Sequence, residues 1–306
     1  MQARKTTVTR RSLLAGMAGA SAWAQNRAAN GPKARLTPAL TVHIEQFPKI
    51  GYNDLGGILR MLGFDGCVLS VQPGGHIPPE RADWELMRAV EAMTGVGLDV
   101  PALATTSTSP TDPIVRLIFG IGREMGIPIF RPGEWKIAAG ANVEARLAEV
   151  QRDLTILSSY AAQTSMAVAV HNTAGDVFGG AVWDINAIVR TLDARFAGYD
   201  FDIGYATAHG GAEAAALALR LALPRVKMVS ARDCYWSKGA SGWKLVECPL
   251  GEGMVDWPQF FAALAKSRFT GPVTLYVNYQ PQEELPAIRK DLEFLKKQLA
   301  AAYSAA

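Results

Sequence analysis

From Ala39 onward, short apolar runs alternate with longer amphipathic ones. The apolar runs are ALTVHIEQF (39–47), FDGCVLSV (64–71), LDVPALATT (98–106), GIPIFRPGEW (126–135), MAVAVHN (166–172), AGYDFDIG (197–204), VKMVSARDCYW (226–236) and GPVTLYVNY (271–279). Each is too short for a helix of usual length and is apolar on both faces, the pattern of a parallel strand buried on both sides. Between them lie stretches of helical period. NDLGGILRMLG (53–63) has Asn53 or Asp54 as its expected cap, and ADWELMRAVEAMTG (82–95) sets Trp84, Met87 and Val90 on one face. TDPIVRLIFGIGREMG (111–126) opens on a Thr-Asp-Pro start, and the long run ANVEARLAEVQRDLTILSSYAAQ (141–163) is the clearest helix of the chain. AVWDINAIVRTL, AEAAALALRLA, DWPQFFAALAKSRF and EELPAIRKDLEFLKKQLAAAY complete the series, with residues 237–253 inserted after the seventh strand. Eight strand–helix pairs predict an α/β fold of one domain, an eight-stranded parallel (β/α)8 TIM barrel over residues 39–303. A doubly wound open sheet is the alternative, disfavoured because no Gly-rich phosphate turn follows the first strand.

The segment before this pattern differs. Arg10-Arg11 precedes a Gly/Ala-rich run of about 12 residues and then Ala22-Trp23-Ala24, a small-x-small cleavage site, so residues 1–24 resemble a twin-arginine export signal. That run is shorter than the ~20 residues a helix needs to cross a bilayer, so no membrane span is expected. Residues 25–38 read as a flexible lead-in, and the mature protein is expected in the periplasm or outside the cell. Removing Arg4, Lys5, Arg10 and Arg11 from the 31 bases leaves 27 against all 28 acids, a net charge of −1. A near-neutral body offers no electrostatic footing for nucleic acid. The three cysteines do not form a zinc spacing; Cys67 reads as core, while Cys234 and Cys248 are the pair an oxidising compartment would permit to bridge.

In a barrel of this kind the active site lies at the C-terminal ends of the strands. The polar residues there are His43 and Glu45, Gln72 and His76, Thr105 and Thr106, Arg131 and Glu134, His171 and Asn172, Asp202 and Tyr205, Arg232 and Asp233, and Tyr276 and Asn278. Such density favours a small polar substrate. Asp202 reads equally as a base or ligand and as a helix cap or partner of Arg232, and Asp233 as a group that bonds backbone. Trp135, Trp183, Trp236 and Trp243 are available for stacking on a sugar.

The stretches GFDGCVLSVQPGGHIPPE, VHNTAGDVFGGAVWDI, YDFDIGYATAHGG, VSARDCYW, CPLGEGMVDWPQFF and GPVTLYVNY resemble the xylose isomerase-like TIM-barrel superfamily, in particular its exported members described as sugar phosphate isomerase/epimerase. The resemblance runs over nearly all of residues 40–300. It implies one divalent metal, Mn, Mg, Zn or Co, held by two Glu, one Asp and one His, and no nucleotide cofactor. Carried over position by position, the fifth-strand Glu falls near His171, the sixth-strand Asp on Asp202, the seventh-strand His on Ser230 and the last Glu on Asn278. Arg232-Asp233 stands for a Lys-Asp pair and Tyr276 for a His. His171 and Asp202 are therefore the expected metal ligands, in a set with one formal negative charge where the family has three.

The implied function is that of a sugar isomerase or epimerase, or a related lyase, moving a proton next to a carbonyl. His171, Asp202 and Arg232 are the expected catalytic residues; without a metal, proton transfer needs His171 as base and Arg131 or Arg232 to stabilise an enediolate-like anion. His76, Arg131, Glu134, Asn172 and Asn278 are the expected substrate-binding residues. The alternative is a non-catalytic periplasmic sugar-binding protein on the same barrel. Residues 237–253 and the final helix are candidates for a homodimer interface.

Overall fold

The structure is a computed structural model that describes residues 35–240 and 242–304; the export-signal expectation (1–24) and most of the lead-in fall outside them. From Thr37 the chain forms one compact unit. Its strands are β1 (Leu40–His43), β2 (Gly66–Val71), β3 (Asp99–Thr105), β4 (Ile129–Arg131), β5 (Ala167–His171), β6 (Ala197–Asp202), β7 (Val226–Ala231), β8 (Asp233–Gly239), β9 (Gly242–Cys248) and β10 (Val273–Leu275). The helices are α1 (Tyr52–Leu62), α2 (Ala82–Gly95), α3 (Pro113–Glu124), α4 (Val143–Thr164), α5 (Val182–Val189), α6 (Ile203–Ala208), α7 (Gly211–Ala222), α8 (Trp257–Lys266) and α9 (Glu284–Tyr303). Eight strands close in the order β1-β10-β7-β6-β5-β4-β3-β2, every pair parallel, which rules out the open sheet.

Local chemistry sets the element ends. The Asp112 carboxylate caps α3 by accepting from Ile114 N (2.9 Å), with Pro113 at the first helical position, as the Thr-Asp-Pro start predicts. At α1 the expectation is corrected: Gly51 is the cap, and Asp54 lies in the first turn where its charge suits the positive end of the helix dipole. In α2 the buried face is Leu86, Ala89, Val90 and Met93. Trp84 is 45% exposed and lies instead under the Arg88 guanidinium, 5.5 Å from it. The fourth run makes only three strand residues before Pro132, which has no N–H to give a ladder.

Two features were absent from the sequence reading. The residues after β7, which the sequence pattern assigns to the end of the seventh strand and an insertion, form an antiparallel hairpin of β8 and β9. Its register pairs Cys234 with Glu247 and Cys248 with Asp233, so the two cysteines project from opposite faces and remain free thiols. The second feature is the short helix α6 directly after β6, capped by the Asp202 carboxylate accepting from Tyr205 N at 2.9 Å.

The period of two along each strand sorts the barrel interior. Val68, Ala102, Ala104, Ile129, Ala169 and Met228 form one apolar interior cluster, and the Thr41 and Thr274 hydroxyls bond at 2.9 Å between neighbouring strands. Alternate residues face the helices: Phe130 meets Phe119 of α3 (4.6 Å) and Phe201 stacks on Phe260 of α8 (6.3 Å). One step above the apolar layer, the same parity brings Ser70, Arg131, His171, Asp202, Ser230 and Tyr276 to the C-terminal mouth.

Candidate active site

The mouth holds a cleft of about 500 Å³ whose walls include His43, Glu45, Ser70, Arg131, Glu134, Lys136, Tyr276 and Asn278. Two carboxylates face it from different walls. Glu45 follows β1 and Glu134 follows β4, three strands apart in a ring of eight. Each is backed by a buried histidine through Nδ1: His76 Nδ1 lies 3.5 Å from Glu45 Oε2, and His171 Nδ1 lies 3.6 Å from Glu134 Oε1. Neither Nδ1 has a closer hydrogen-bond partner.

The two pairs are anchored differently. His76 Nε2–H donates to Phe47 O (3.0 Å) and Ile50 O (2.9 Å), which fixes the tautomer and ties the β1–α1 connection to the site. The neighbouring Glu45 carboxylate raises the His76 pKa, although burial opposes it. Burial in turn pushes Glu45 up, but the His76 hydrogen bond and charge outweigh it and leave Glu45 below its usual value. His171 Nε2–H donates to Asp202 Oδ2 at 3.1 Å. The His171 ring holds Glu134 down at about 2, against a smaller opposing effect of burial. His43, buried beside the Arg131 cation, is lowered to about 3 by desolvation first and that charge second, so it is neutral at physiological pH.

Below the cleft lies a layer of buried ion pairs. Arg131 Nε donates to Asp200 Oδ2 (2.8 Å), crossing over β5, where the inward residue is the small Ala169. Ser230 Oγ donates to the other oxygen of Asp200 (2.7 Å). Arg232 Nε donates to Asp202 Oδ2 at 2.5 Å, while its Nη1 reaches the Tyr205 hydroxyl (2.8 Å) and Glu247 Oε1 (3.2 Å). The Arg232 guanidinium also stands over the rings of Tyr205 (4.2 Å) and Tyr276 (4.7 Å). Asp202 thus serves as helix cap and as partner of Arg232, the two structural roles its position allowed.

This arrangement tests the implied metal directly. Of the Asp202 oxygens, Oδ1 takes the Tyr205 N–H and Oδ2 takes both Arg232 and His171. Ser230 is committed to Asp200, and Asn278 is an exposed neutral group on the cleft wall. A guanidinium therefore occupies the face of Asp202 that a divalent cation would need. No group of three His, Cys, Asp or Glu among the described residues has metal-binding geometry, and the donor set does not fit the metal.

The expected site residues separate into two sets. Arg131, Glu134 and Asn278 line the cleft. His76 stands behind Glu45. Asn172 is fully buried, clamping the Asp202 backbone with Nδ2 to Asp202 O (2.9 Å) and Oδ1 from Asp202 N (2.8 Å), so both its polar ends are used away from substrate. His171, Asp202 and Arg232 form the support behind Glu134. Asp233 accepts from the N–H groups of Cys234, Gly251 and Val255 and from Trp257 Nε1, pinning the hairpin base to α8. Trp135 is buried, donating to Asp153 (3.0 Å), whereas Trp183, Trp236 and Trp243 keep exposed rings. Asp200 and Glu247 were not singled out from sequence. The cue for Asp200 was its two-residue spacing from Asp202, which puts both on the inner face.

The model of the xylose isomerase-like TIM-barrel family matches residues 57–298. No curated protein sequence matches the chain. Among solved structures, a xylose isomerase-like TIM-barrel protein from Mycobacterium smegmatis in complex with magnesium is 14% identical with a TM-score of 0.69, over 87% of this chain and 98% of that one. A 3-keto-D-glucoside 4-epimerase from E. coli is 15% identical with a TM-score of 0.68, over 85% and 99%. A D-allulose 3-epimerase from Methylomonas sp. in complex with D-allulose is 17% identical with a TM-score of 0.64, over 86% and 97%. At such identities the likeness is one of fold.

Proposed function

The chain belongs to the xylose isomerase-like TIM-barrel family, and from that premise we propose that it is a sugar isomerase or epimerase acting on a keto-sugar by proton transfer next to the carbonyl. The observation that carries this reading is the pair of carboxylates, each backed by a buried histidine, facing one cleft that Arg131 also lines. One carboxylate removes the carbon-bound proton; the C–H electron pair becomes the new C=C bond as the carbonyl oxygen turns anionic. The same carboxylate then delivers that proton to the neighbouring carbon, or the other carboxylate, ionised at rest, takes a proton from solvent and delivers it to the opposite face. Arg131 stabilises the anion. His171, with Asp202 and Arg232 behind it, acts through Glu134 as a positioning residue.

Exchange of carbon-bound hydrogen in deuterated water across a panel of ketoses and keto-glycosides tests the proposal. Glu45→Gln and Glu134→Gln are each expected to lower exchange by about 10²-fold or more. The absence of exchange with every sugar overturns it. The Arg232 guanidinium standing against Asp202 favours the second reading, a sugar-binding protein without catalysis, which predicts thermal stabilisation by a sugar and no exchange. In either case we place the protein outside the cytoplasm, on the strength of Arg10-Arg11 and Ala22-Trp23-Ala24.

A further inference from the structure

We propose that the Tyr276 hydroxyl, with Arg131 beside it, is the oxyanion site of the cleft and donates to the substrate oxygen that becomes anionic when the neighbouring carbon loses its proton. The inference rests on the proton-transfer reading above and names the group that receives its charge. Tyr276 N donates to Ala231 O (3.0 Å), continuing the β10 ladder, so its side chain follows the inward parity of Thr274. The ring is held by the Arg232 guanidinium at 4.7 Å and by His43 at 5.7 Å, and it lines the cleft. Yet the hydroxyl is buried with no hydrogen-bond partner, a costly state that calls for an explanation.

The neighbouring protein groups offer none. Both oxygens of Asp200 already accept, one from Arg131 and one from Ser230, and both oxygens of Asp202 are engaged. Among the described residues this is the one buried hydroxyl without a partner, the other such atoms being the Nδ1 atoms of His76 and His171 and Glu247 Oε2. Burial pushes the Tyr276 phenol up while Arg131 and Arg232 pull it back, and the net rise leaves it a protonated donor at neutral pH. The chemistry that fits is an oxygen acceptor gaining negative charge next to a fixed cation: the carbonyl of a keto-sugar on its way to an enediolate.

Tyr276→Phe removes the hydroxyl and keeps the ring. The expected result is a Tm equal to or above that of the unchanged protein, KM for a ketose within about threefold, and exchange kcat lower by about 10²-fold. Affinity for erythronohydroxamate, a mimic of the enediolate, is expected to fall at least about tenfold, while stabilisation by the ketose itself is retained. A variant whose kcat and hydroxamate affinity stay within about threefold overturns the proposal and assigns the hydroxyl to a buried water, and so does a lack of hydroxamate binding by the unchanged protein. Absence of hydrogen exchange on every sugar overturns the proton-transfer reading alone, since the hydroxamate comparison still decides on Tyr276.

Discussion

Replacing Arg232 with Met keeps most of the side-chain volume and removes the guanidinium that Asp202 faces. The Arg232 side chain is 4% exposed and that of Asp202 is fully buried, so solvent cannot take over the lost partner. Breaking such a pair by deleting one member costs about 3–5 kcal/mol, because the surviving charge stays buried. Asp202 keeps the Tyr205 N–H and His171, which favours the lower end, about 3 kcal/mol. For a barrel of this size, that lowers Tm by about 6–12 °C. The acid limb shifts as well. Burial raises the Asp202 pKa, but Arg232 and then His171 outweigh it, so the folded value lies below the unfolded one. The stability this gives is fully present above about pH 4 and is lost as pH falls through the folded value. In Arg232→Met the loss begins at higher pH. Thermal and urea unfolding from pH 8 to pH 3 measure both effects, and a double-mutant cycle with Asp202→Asn isolates the pair. Arg195→Met, which removes the exposed partner of Asp193, is the control and leaves Tm unchanged. An Arg232→Met variant within about 1 kcal/mol of the unchanged protein, or no coupling with Asp202, refutes the account of the buried cation.

His43 yields a prediction of pH dependence. Its folded value of about 3 lies below the unfolded 6.5, so unfolding takes up a proton below pH 6.5 and stability declines as pH falls from 6.5 to 3. The slope is at most about 1.4 kcal/mol per pH unit for one group, and His43→Gln should flatten it in urea titrations; an unchanged slope sinks the assignment. For the metal, calorimetric titration with Mn²⁺ should show no stoichiometric binding to the unchanged protein, and a chelator should leave its Tm where it was. A one-to-one site of micromolar affinity would show that Asp202 is free of Arg232 in solution.

Eight strands and their inward parity were legible because both rest on a local signal, the alternation of apolar and polar positions within single runs. The same parity marks His43, Arg131, His171, Asp202 and Tyr276 as residues of the mouth. It cannot say which side chain meets which. Arg131 finds Asp200 69 residues away, and the hairpin that delivers Glu247 carries no strand-like core face, since only Asp233, Cys234 and Cys248 of β8 and β9 are buried. Positions carried over from the family could show that the metal was short of ligands, but not what replaced it. That depends on a close approach: a Cβ on Gly204 would stand 2.5 Å from Arg232 Cγ and 2.7 Å from Arg232 O. Only a residue without a side chain lets the turn after β6 lie against the arginine and hold its guanidinium on Asp202. The exchange of an ion for a side-chain cation thus depends on two residues 28 positions apart, Gly204 and Arg232, and neither predicts it alone.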